Sequence, residues 1–217
     1  MGIALFDLDN TLIAGDSDYL WGCFLVEQGI VDAAEYEHAN QRFYDQYKVG
    51  ELDIHEFLAF QLRPLAVHPM TRLQQWRAQY IEEKIQPILL PRAQDLIERH
   101  RQQGDTLVII TATNRFITEP IATLYGIGHL LATEPELRDG RYTGGVTGTP
   151  CFQDGKVAVL EDWLDAHNES LADSCFYSDS HNDLPLLSRV TQPMAVDPDE
   201  ILQSHAVNHG WPVISLR

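Results

Sequence analysis

Apolar and polar positions divide the chain into a short apolar start, a long stretch of helical periodicity, and a region of alternating strands and helices. The apolar run Ile3–Phe6 is typical of a buried strand. Two carboxylates spaced i, i+2, Asp7 and Asp9, follow it directly, with Thr11 two residues further on. The chain leaves the strand at this point, so both carboxylates can turn toward one small volume. Like charges that close repel each other, which raises a pKa or recruits a cation.

Helical periodicity extends from the turn at Ala14-Gly15-Asp16 to about Gln86, with no strand pattern between. We predict four helices, the third capped by Asp53 and stopped by Pro64. The apolar and aromatic stripes that define them are Leu20, Phe24 and Leu25; Tyr36, Phe43, Tyr44 and Tyr47; Phe57, Leu58 and Leu62; and Leu73, Trp76, Tyr80 and Ile81. This pattern predicts an all-helical insertion of roughly 70 residues, which we place at 15–87.

From residue 88 onward, short apolar runs alternate with helical patterns. The predicted strands are 106–110, 129–132, 174–178 and 194–196, and a hairpin is punctuated by Asp139-Gly140 and Gly144-Gly145. The predicted helices are 92–103 (ended by Gly104), 111 to about 126, 156–167, 184–190 and 199–209. Such alternation predicts an α/β fold with a mainly parallel sheet and right-handed crossovers, formed by residues 1–14 and 88–217.

Composition and charge exclude several classes of protein. The 217 residues carry a formal net charge of −17, from 15 basic and 32 acidic side chains, which argues against nucleic acid or an anionic membrane as a partner. No apolar run approaches the ~20 residues of a membrane span. The N-terminus does not resemble a signal peptide, and the three scattered cysteines form neither a disulfide framework nor a zinc pattern. We therefore expect a cytoplasmic protein, and no feature predicts its oligomeric state.

Chemically useful side chains follow the predicted strands. The first strand ends at Asp7, the second at Thr111, and a later one in Asp179-Ser-His-Asn-Asp183, while Lys156 opens a helix after Asp154-Gly155. In open α/β sheets, ligands bind at the carboxyl ends of the strands. Oxygen ligands with few His or Cys favour Mg²⁺ over Zn²⁺. The pattern therefore predicts a Mg²⁺ site beside Thr and Lys side chains that could bind phosphate.

In order along the chain, Asp7-x-Asp9-x-Thr11, Thr111, Lys156 and Asp179 to Asp183 resemble the four motifs of the haloacid dehalogenase (HAD) superfamily. The helical insertion between the first two motifs resembles the cap of its phosphoserine-phosphatase-like branch. This resemblance spans essentially the whole chain. It implies a Rossmann-like three-layer parallel sheet with an inserted all-helical cap domain.

The resemblance also implies a role for each motif residue. Asp7 corresponds to the nucleophile that forms an aspartyl-phosphate, and Asp9 to the general acid/base, a residue that HAD dehalogenases lack. Thr111 and Lys156 correspond to the residues that hold the phosphoryl oxygens. The Mg²⁺ ligands implied are Asp7, the backbone carbonyl of Asp9, and Asp179, with Asn182 and Asp183 in support.

Substrate binding is less well defined by the resemblance, because Ala112 and Thr113 replace the two glycines usual in phosphoserine phosphatases. Thr113 and Asn114 can still offer backbone N–H groups. The candidate substrate residues are Thr11, Ala112, Thr113, Asn114 and Asn182, with Asp16, Asp18 and Arg63 as candidates for a substrate ammonium or carboxylate. The implied enzyme is a Mg²⁺-dependent phosphatase for a small phosphorylated metabolite such as phosphoserine or histidinol phosphate.

Two other functions use similar residues. A phosphomutase or phosphotransferase would use the same side chains but pass the phosphoryl group to a sugar or alcohol. A signalling receiver domain also places an Asp pair, a Thr and a Lys around Mg²⁺. A receiver would be about half this length, would lack the helical insertion, and would carry its phosphorylated Asp on a later strand.

Overall fold

The computed structural model describes residues 2–217, and its centre is a seven-stranded sheet in the order β4-β3-β2-β1-β5-β6-β7. The strands are β1 Ile3–Phe6, β2 Thr106–Asn114, β3 His129–Arg138, β4 Arg141–Thr147, β5 Cys175–Ser178, β6 Gln192–Val196 and β7 Val213–Ile214. All neighbouring pairs are parallel except β3 and β4. The predicted α/β fold with a mainly parallel sheet is confirmed.

Helices cover both faces of this sheet. They are α1 Ser17–Glu27, α2 Ala33–Lys48, α3 Ile54–Gln61, α4 Arg63–Val67, α5 Met70–Tyr80, α6 Pro91–Gln103, α7 Arg115–Leu124, α8 Asp154–His167, α9 Leu184–Leu187 and α10 Glu200–His209. Along β1, Ala4 and Phe6 belong to one buried cluster, and Ile3 and Leu5 belong to the other. This alternation gives a three-layer structure with β1 buried at its centre.

All regular structure between residues 15 and 87 is helical, as the periodicity predicts. The segment contains five α-helices rather than four, because α3 ends at Gln61 and Pro64 then lies in the first turn of α4. Asp53 caps α3 as predicted, since its side chain accepts the backbone N–H groups of residues 55 and 56. An isolated bridge pairs Ile13 with Leu89, where the chain enters and leaves the insertion. Its status as a separate cap domain stays a prediction.

Two predicted boundaries differ from the structure. Residues 111–114 continue β2, with an irregular register, instead of opening a helix, and α7 begins only after Asn114, whose side chain caps it. β3 extends beyond Ala132 to Arg138, because β4 pairs with it across the turn at Asp139-Gly140. Gly144 and Gly145 lie within β4 rather than in a turn. Gly144 has a φ of +87°, and a Cβ there would lie 3.3 Å from that of Ala66 in α4, so glycine suits this close contact.

Candidate active site

Three parallel strands bring their polar end residues to one edge of the sheet. Phe6, the last residue of β1, is aligned with Ile109 of β2 and Tyr177 of β5. Asp7, Thr111 and Asp179 therefore follow at the same edge, although more than 100 residues separate the first from the others. The backbone N–H of Asp7 still donates to the carbonyl of Tyr177 at 2.9 Å. The sheet itself thus positions the predicted motif residues.

Lys156 lies between two carboxylates that the sequence places far apart. Its Nζ donates to Asp7 Oδ1 at 2.7 Å and to Asp183 at 2.8 Å, and all three side chains are buried. Burial raises the pKa of Asp7 to about 7, although Lys156 acts in the opposite direction. Burial also disfavours charge on Lys156, but the carboxylates of Asp183 and Asp7 outweigh it and keep its pKa above the usual value. Lys156 is therefore the ammonium partner of the carboxylates at this edge of the sheet, which we call the acidic edge.

Asp9 faces the second strand. Its Oδ1 accepts the backbone N–H of Ser17 at 2.6 Å, and its Oδ2 accepts the hydroxyls of Thr113 at 2.8 Å and Thr111 at 3.4 Å. Burial, followed by the nearby Asp16 carboxylate, raises the pKa of Asp9 to about 6. These bonds hold Asp9 in one orientation beside Asp7.

Thr11 joins the first motif to the last. Its hydroxyl lies 3.2 Å from both Asp7 Oδ2 and Asp179 Oδ1, and it accepts the backbone N–H of Asp179 at 3.1 Å. Burial, with the charges of Asp7 and Asp183, raises the pKa of Asp179 well above its usual range. Asp7 and Asp179 are thus two carboxylates with only a hydroxyl between them.

The donors near Thr11 fit a hard divalent cation better than a transition metal, because they are all oxygen atoms. Among residues 2–217, no three His, Cys, Asp or Glu side chains form a ready-made metal site. Mg²⁺ commonly takes only one or two protein carboxylates, together with water and substrate phosphate. Asp7 and Asp179 meet that requirement. Asp183, by contrast, is occupied by Lys156 and by the Ser178 hydroxyl at 2.7 Å, so its link to Asp7 runs through Lys156.

The residues of the second motif differ in whether they line the cavity. Thr111, Ala112 and Thr113 line the cavity described below, and the backbone N–H of Thr113 donates to the Thr111 hydroxyl at 3.2 Å. Asn114 does not line it. Its side chain accepts the backbone N–H of Ile117 as the cap of α7.

A cavity of about 830 Å³ lies between this edge of the sheet and the inserted helices. Asp7, Asp9, Thr111 and Lys156 line it on the sheet side, and Asp16 and Asp18 line it on the helix side. Asp16 also caps α1 through the backbone N–H of Tyr19 at 2.8 Å. The volume suits a small metabolite.

Arg63 is not brought to this cavity. Its guanidinium pairs with Glu35 at 2.9 Å, and both side chains are about half exposed. The reason is its position at the start of α4, which directs it to the outer surface beside α2 rather than toward the strand ends.

The inserted helices contact the last motif directly. The Tyr47 hydroxyl donates to Ser180 Oγ at 2.8 Å, and the Asn182 amide donates to the Tyr47 carbonyl at 3.3 Å. Asn182 Oδ1 also accepts the Gln153 amide at 2.8 Å. These bonds place Asn182 in the cavity wall, where the helices meet the sheet edge.

Sequence reasoning missed several residues of the site. In the sequence, Tyr47 belongs to an aromatic stripe of a predicted helix, and nothing there predicts a role for Ser178 or Gln153. Tyr47 and Ser180 are 133 residues apart, so no local pattern could indicate their contact. Ser178 is different, because it immediately precedes Asp179 at the end of a predicted strand and could have been included on that ground.

Comparisons with known proteins indicate the family of the chain. A model of the haloacid dehalogenase-like hydrolases matches residues 4–188. A protein named histidinol-phosphatase from Neisseria meningitidis serogroup C (strain 8013) is 43% identical, over 99% of each chain. A Bordetella pertussis Tohama I protein described as of unknown function has a structure with a TM-score of 0.93, 44% identity, and coverage of 99% of this chain and 98% of its own.

The fold is also that of phosphoserine phosphatase. A structure titled as a phospho-aspartyl intermediate analogue of that enzyme has a TM-score of 0.71 at 17% identity, covering all of this chain and 93% of its own. At 17% identity, this similarity shows only that the two proteins share a fold. The matching family model and the 43% identical relative go further: the chain belongs to the haloacid dehalogenase-like hydrolase family, as an enzyme of the phosphatase type.

Proposed function

We propose that the protein is a Mg²⁺-dependent phosphatase that hydrolyses a small phosphomonoester through an aspartyl-phosphate on Asp7. The observation that carries this proposal is the shared cavity of Asp7, Asp9, Thr111 and Lys156, which reach it from three separate parts of the chain. The substrate is a phosphorylated amino acid or amino alcohol, and the histidinol-phosphatase relative makes histidinol phosphate the first one to test.

In the first step, a carboxylate oxygen of Asp7 attacks phosphorus, and the bond from phosphorus to the ester oxygen breaks. Asp9 donates its proton to the departing alkoxide, so that the alcohol leaves neutral. Lys156 and Thr111 hold the phosphoryl oxygens and offset their charge. A Mg²⁺ ion held by Asp7, the Asp9 carbonyl and Asp179 would neutralise negative charge on the phosphoryl group.

In the second step, Asp9 removes a proton from water, and the resulting hydroxide attacks the aspartyl-phosphate at phosphorus. The bond from phosphorus to Asp7 breaks, which restores both carboxyl groups and releases inorganic phosphate. We infer that the inserted helices, which contact the last motif through bonds such as that of Tyr47 with Ser180, limit access of bulk water during phosphoryl transfer.

The experiment is a panel of phosphorylated metabolites, including histidinol phosphate, phosphoserine and ethanolamine phosphate, assayed for phosphate release with Mg²⁺ and with EDTA. We expect steady multiple turnover of at least one member, dependent on Mg²⁺. Reaction in ¹⁸O-labelled water separates hydrolysis from transfer, because only hydrolysis puts the label into the released phosphate. If none of the compounds in the panel releases phosphate, the proposal is contradicted.

A further inference from the structure

The helix side of the cavity contains a buried carboxylate that has no partner. Asp18, in the first turn of α1, is only 4% exposed, and its Oδ1 accepts no hydrogen bond. Burial, followed by the charges of Asp16 and Asp9, raises its pKa well above the usual range. A carboxylate is rarely buried without a positive partner or hydrogen-bond donors. Asp18 lines the cavity, so a ligand in the cavity can supply the missing donor.

Two more polar atoms in the same wall also lack partners. Gln61 Oε1 and the Tyr36 hydroxyl make no hydrogen bond, although their residues are only 3% and 1% exposed. Both residues line the cavity with Asp18. A buried polar group left unsatisfied is costly, and all three of these groups can accept an N–H donor.

The charge of the cavity favours a cation over an anion at this position. Of the described residues that line it, Lys156 is the only Lys, Arg or His, and it is held by Asp7 and Asp183. Arg63, the candidate for a substrate carboxylate, is on the outer surface beside Glu35. A substrate carboxylate would therefore meet acidic groups without a compensating cation.

We propose that Asp18, with Gln61 and Tyr36, forms a subsite for a positively charged nitrogen on the organic part of the substrate. This inference rests on the proposed function and narrows it. The preferred substrates are phosphate esters of cationic amino alcohols, with an ammonium or a protonated heterocycle, rather than phosphoamino acids that also carry a carboxylate. Asp18 acts in specificity and takes no part in phosphoryl transfer.

The kinetic test compares wild type with Asp18→Asn on L-histidinol phosphate and on 4-nitrophenyl phosphate, which has no cationic nitrogen. We expect the variant to lose roughly 10- to 100-fold in kcat/KM for histidinol phosphate, mostly through KM, since a hydrogen bond to a charged partner is lost. Its kcat/KM for 4-nitrophenyl phosphate should change by less than about 3-fold. Equal losses on both substrates, or none on either, would overturn the proposal.

A matched control is Asp45→Asn, which removes an equal charge from an exposed position on α2 outside the cavity. This variant should leave kcat/KM unchanged for both substrates.

Ethanolamine phosphate, which has an ammonium but no ring, shows which nitrogen of the substrate is bound. An Asp18→Asn effect on this ester as well indicates the ammonium, and an effect confined to histidinol phosphate indicates the imidazole.

A binding measurement separates this inference from the proposed function. Calorimetric titration with L-histidinol needs no phosphoryl transfer, so it tests the subsite even if no ester is hydrolysed. We expect wild type to bind L-histidinol at least about 10-fold more tightly than Asp18→Asn does, and more tightly than it binds L-serine. If Asp18→Asn does not fold, Gln61→Met provides the same comparison. Equal affinity of wild type and a folded variant, or preference for L-serine, would refute the subsite.

Discussion

Lys156 is the residue on which the charge balance of the acidic edge depends. It contacts two buried carboxylates within 2.8 Å, and three more, Asp9, Asp16 and Asp179, lie in the same region. Without a positive partner, several of these groups would have to protonate or separate. Since Lys156 already pairs with Asp7, it stands where a phosphoryl group attacked by Asp7 would arrive. One ammonium can thus serve both the stability of the folded chain and the chemistry.

Asp9 is expected to act on protons rather than on the metal, because its carboxylate oxygens are held by Ser17, Thr113 and Thr111. Asp9→Asn should therefore reduce turnover by roughly 10²- to 10⁴-fold, the usual contribution of a general acid/base. Mg²⁺ affinity, measured by calorimetry, should change little. A variant with normal turnover would remove the acid/base role, and Asp45→Asn serves as the control for a lost surface charge.

At the scale of single residues, the sequence indicated the motif positions but not all of their contacts. Asp7, Asp9, Thr111 and Lys156 could be selected because each follows a strand or opens a helix, and the cavity contains all four. Arg63 and Asn114 were selected by type and position alone, and the structure gives them a surface ion pair and a helix cap. The unsatisfied atom of Gln61 could not be foreseen, because burial of that side chain depends on packing between helices.

At the scale of elements, capping residues and glycines marked helix ends well. Asp53 caps α3 and Gly104 ends α6 with a φ of +79°, both as predicted, whereas Asp199, predicted as the first residue of the last helix, caps α10 instead. Strand lengths were harder to predict. β2 and β3 are longer than their apolar runs, because their last residues are held by pairing with neighbouring strands rather than by their own propensity.

The connection from α6 to β2 provides a pH-dependent test. Asp105 Oδ2 contacts His100 Nδ1 at 2.9 Å, and its Oδ1 accepts the Gly2 backbone N–H at 2.8 Å. The bond with His100, followed by that with Gly2, holds the pKa of Asp105 below its usual 3.8. A carboxyl group whose pKa is lowered by folding stabilises the folded state at pH values above its usual pKa. This stabilisation is lost as the pH falls through the pKa of the folded state.

Asp105→Asn should therefore reduce the free energy of unfolding by about 1 kcal/mol near neutral pH. The deficit should shrink as the pH falls from about 4 through the lowered pKa of the folded state, because wild-type Asp105 is then progressively protonated and neutral too. Urea unfolding of both proteins at about pH 6 and about pH 2.5 measures this difference. A deficit that grows toward acid pH would show that the sign of the pKa shift is wrong.

At the scale of the whole molecule, the site exists because a parallel sheet collects distant segments at one edge. The order of the strands could not be obtained from periodicity, and the resemblance of the four motifs implied only a Rossmann-like parallel sheet. The structure confirms that fold and supplies the order. Contacts between the inserted helices and the last motif belong to this scale as well. No helix within residues 2–217 has the length and apolar character needed to cross a membrane.

Binding of Mg²⁺ should stabilise the whole chain, because the ion would relieve repulsion among buried carboxylates that meet only when the chain is folded. At about 100 times the dissociation constant, a ligand adds roughly 2.7 kcal/mol, or roughly 5 to 10 °C in Tm for a chain of this size. Thermal unfolding with Mg²⁺ and with EDTA measures the shift. The increase should be much smaller in Asp179→Asn, and an equal increase in that variant would place the ion elsewhere.

The central claim is that Asp7 is the group that receives the phosphoryl group, and the most direct measurement is the turnover of Asp7→Asn at saturating Mg²⁺ and substrate. The amide keeps the size of the side chain but has no carboxylate oxygen that could attack phosphorus and form the acyl phosphate. We predict a loss of roughly 10⁴-fold or more in kcat with an unchanged fold by circular dichroism. A folded variant that retains turnover within about tenfold of wild type would contradict the account.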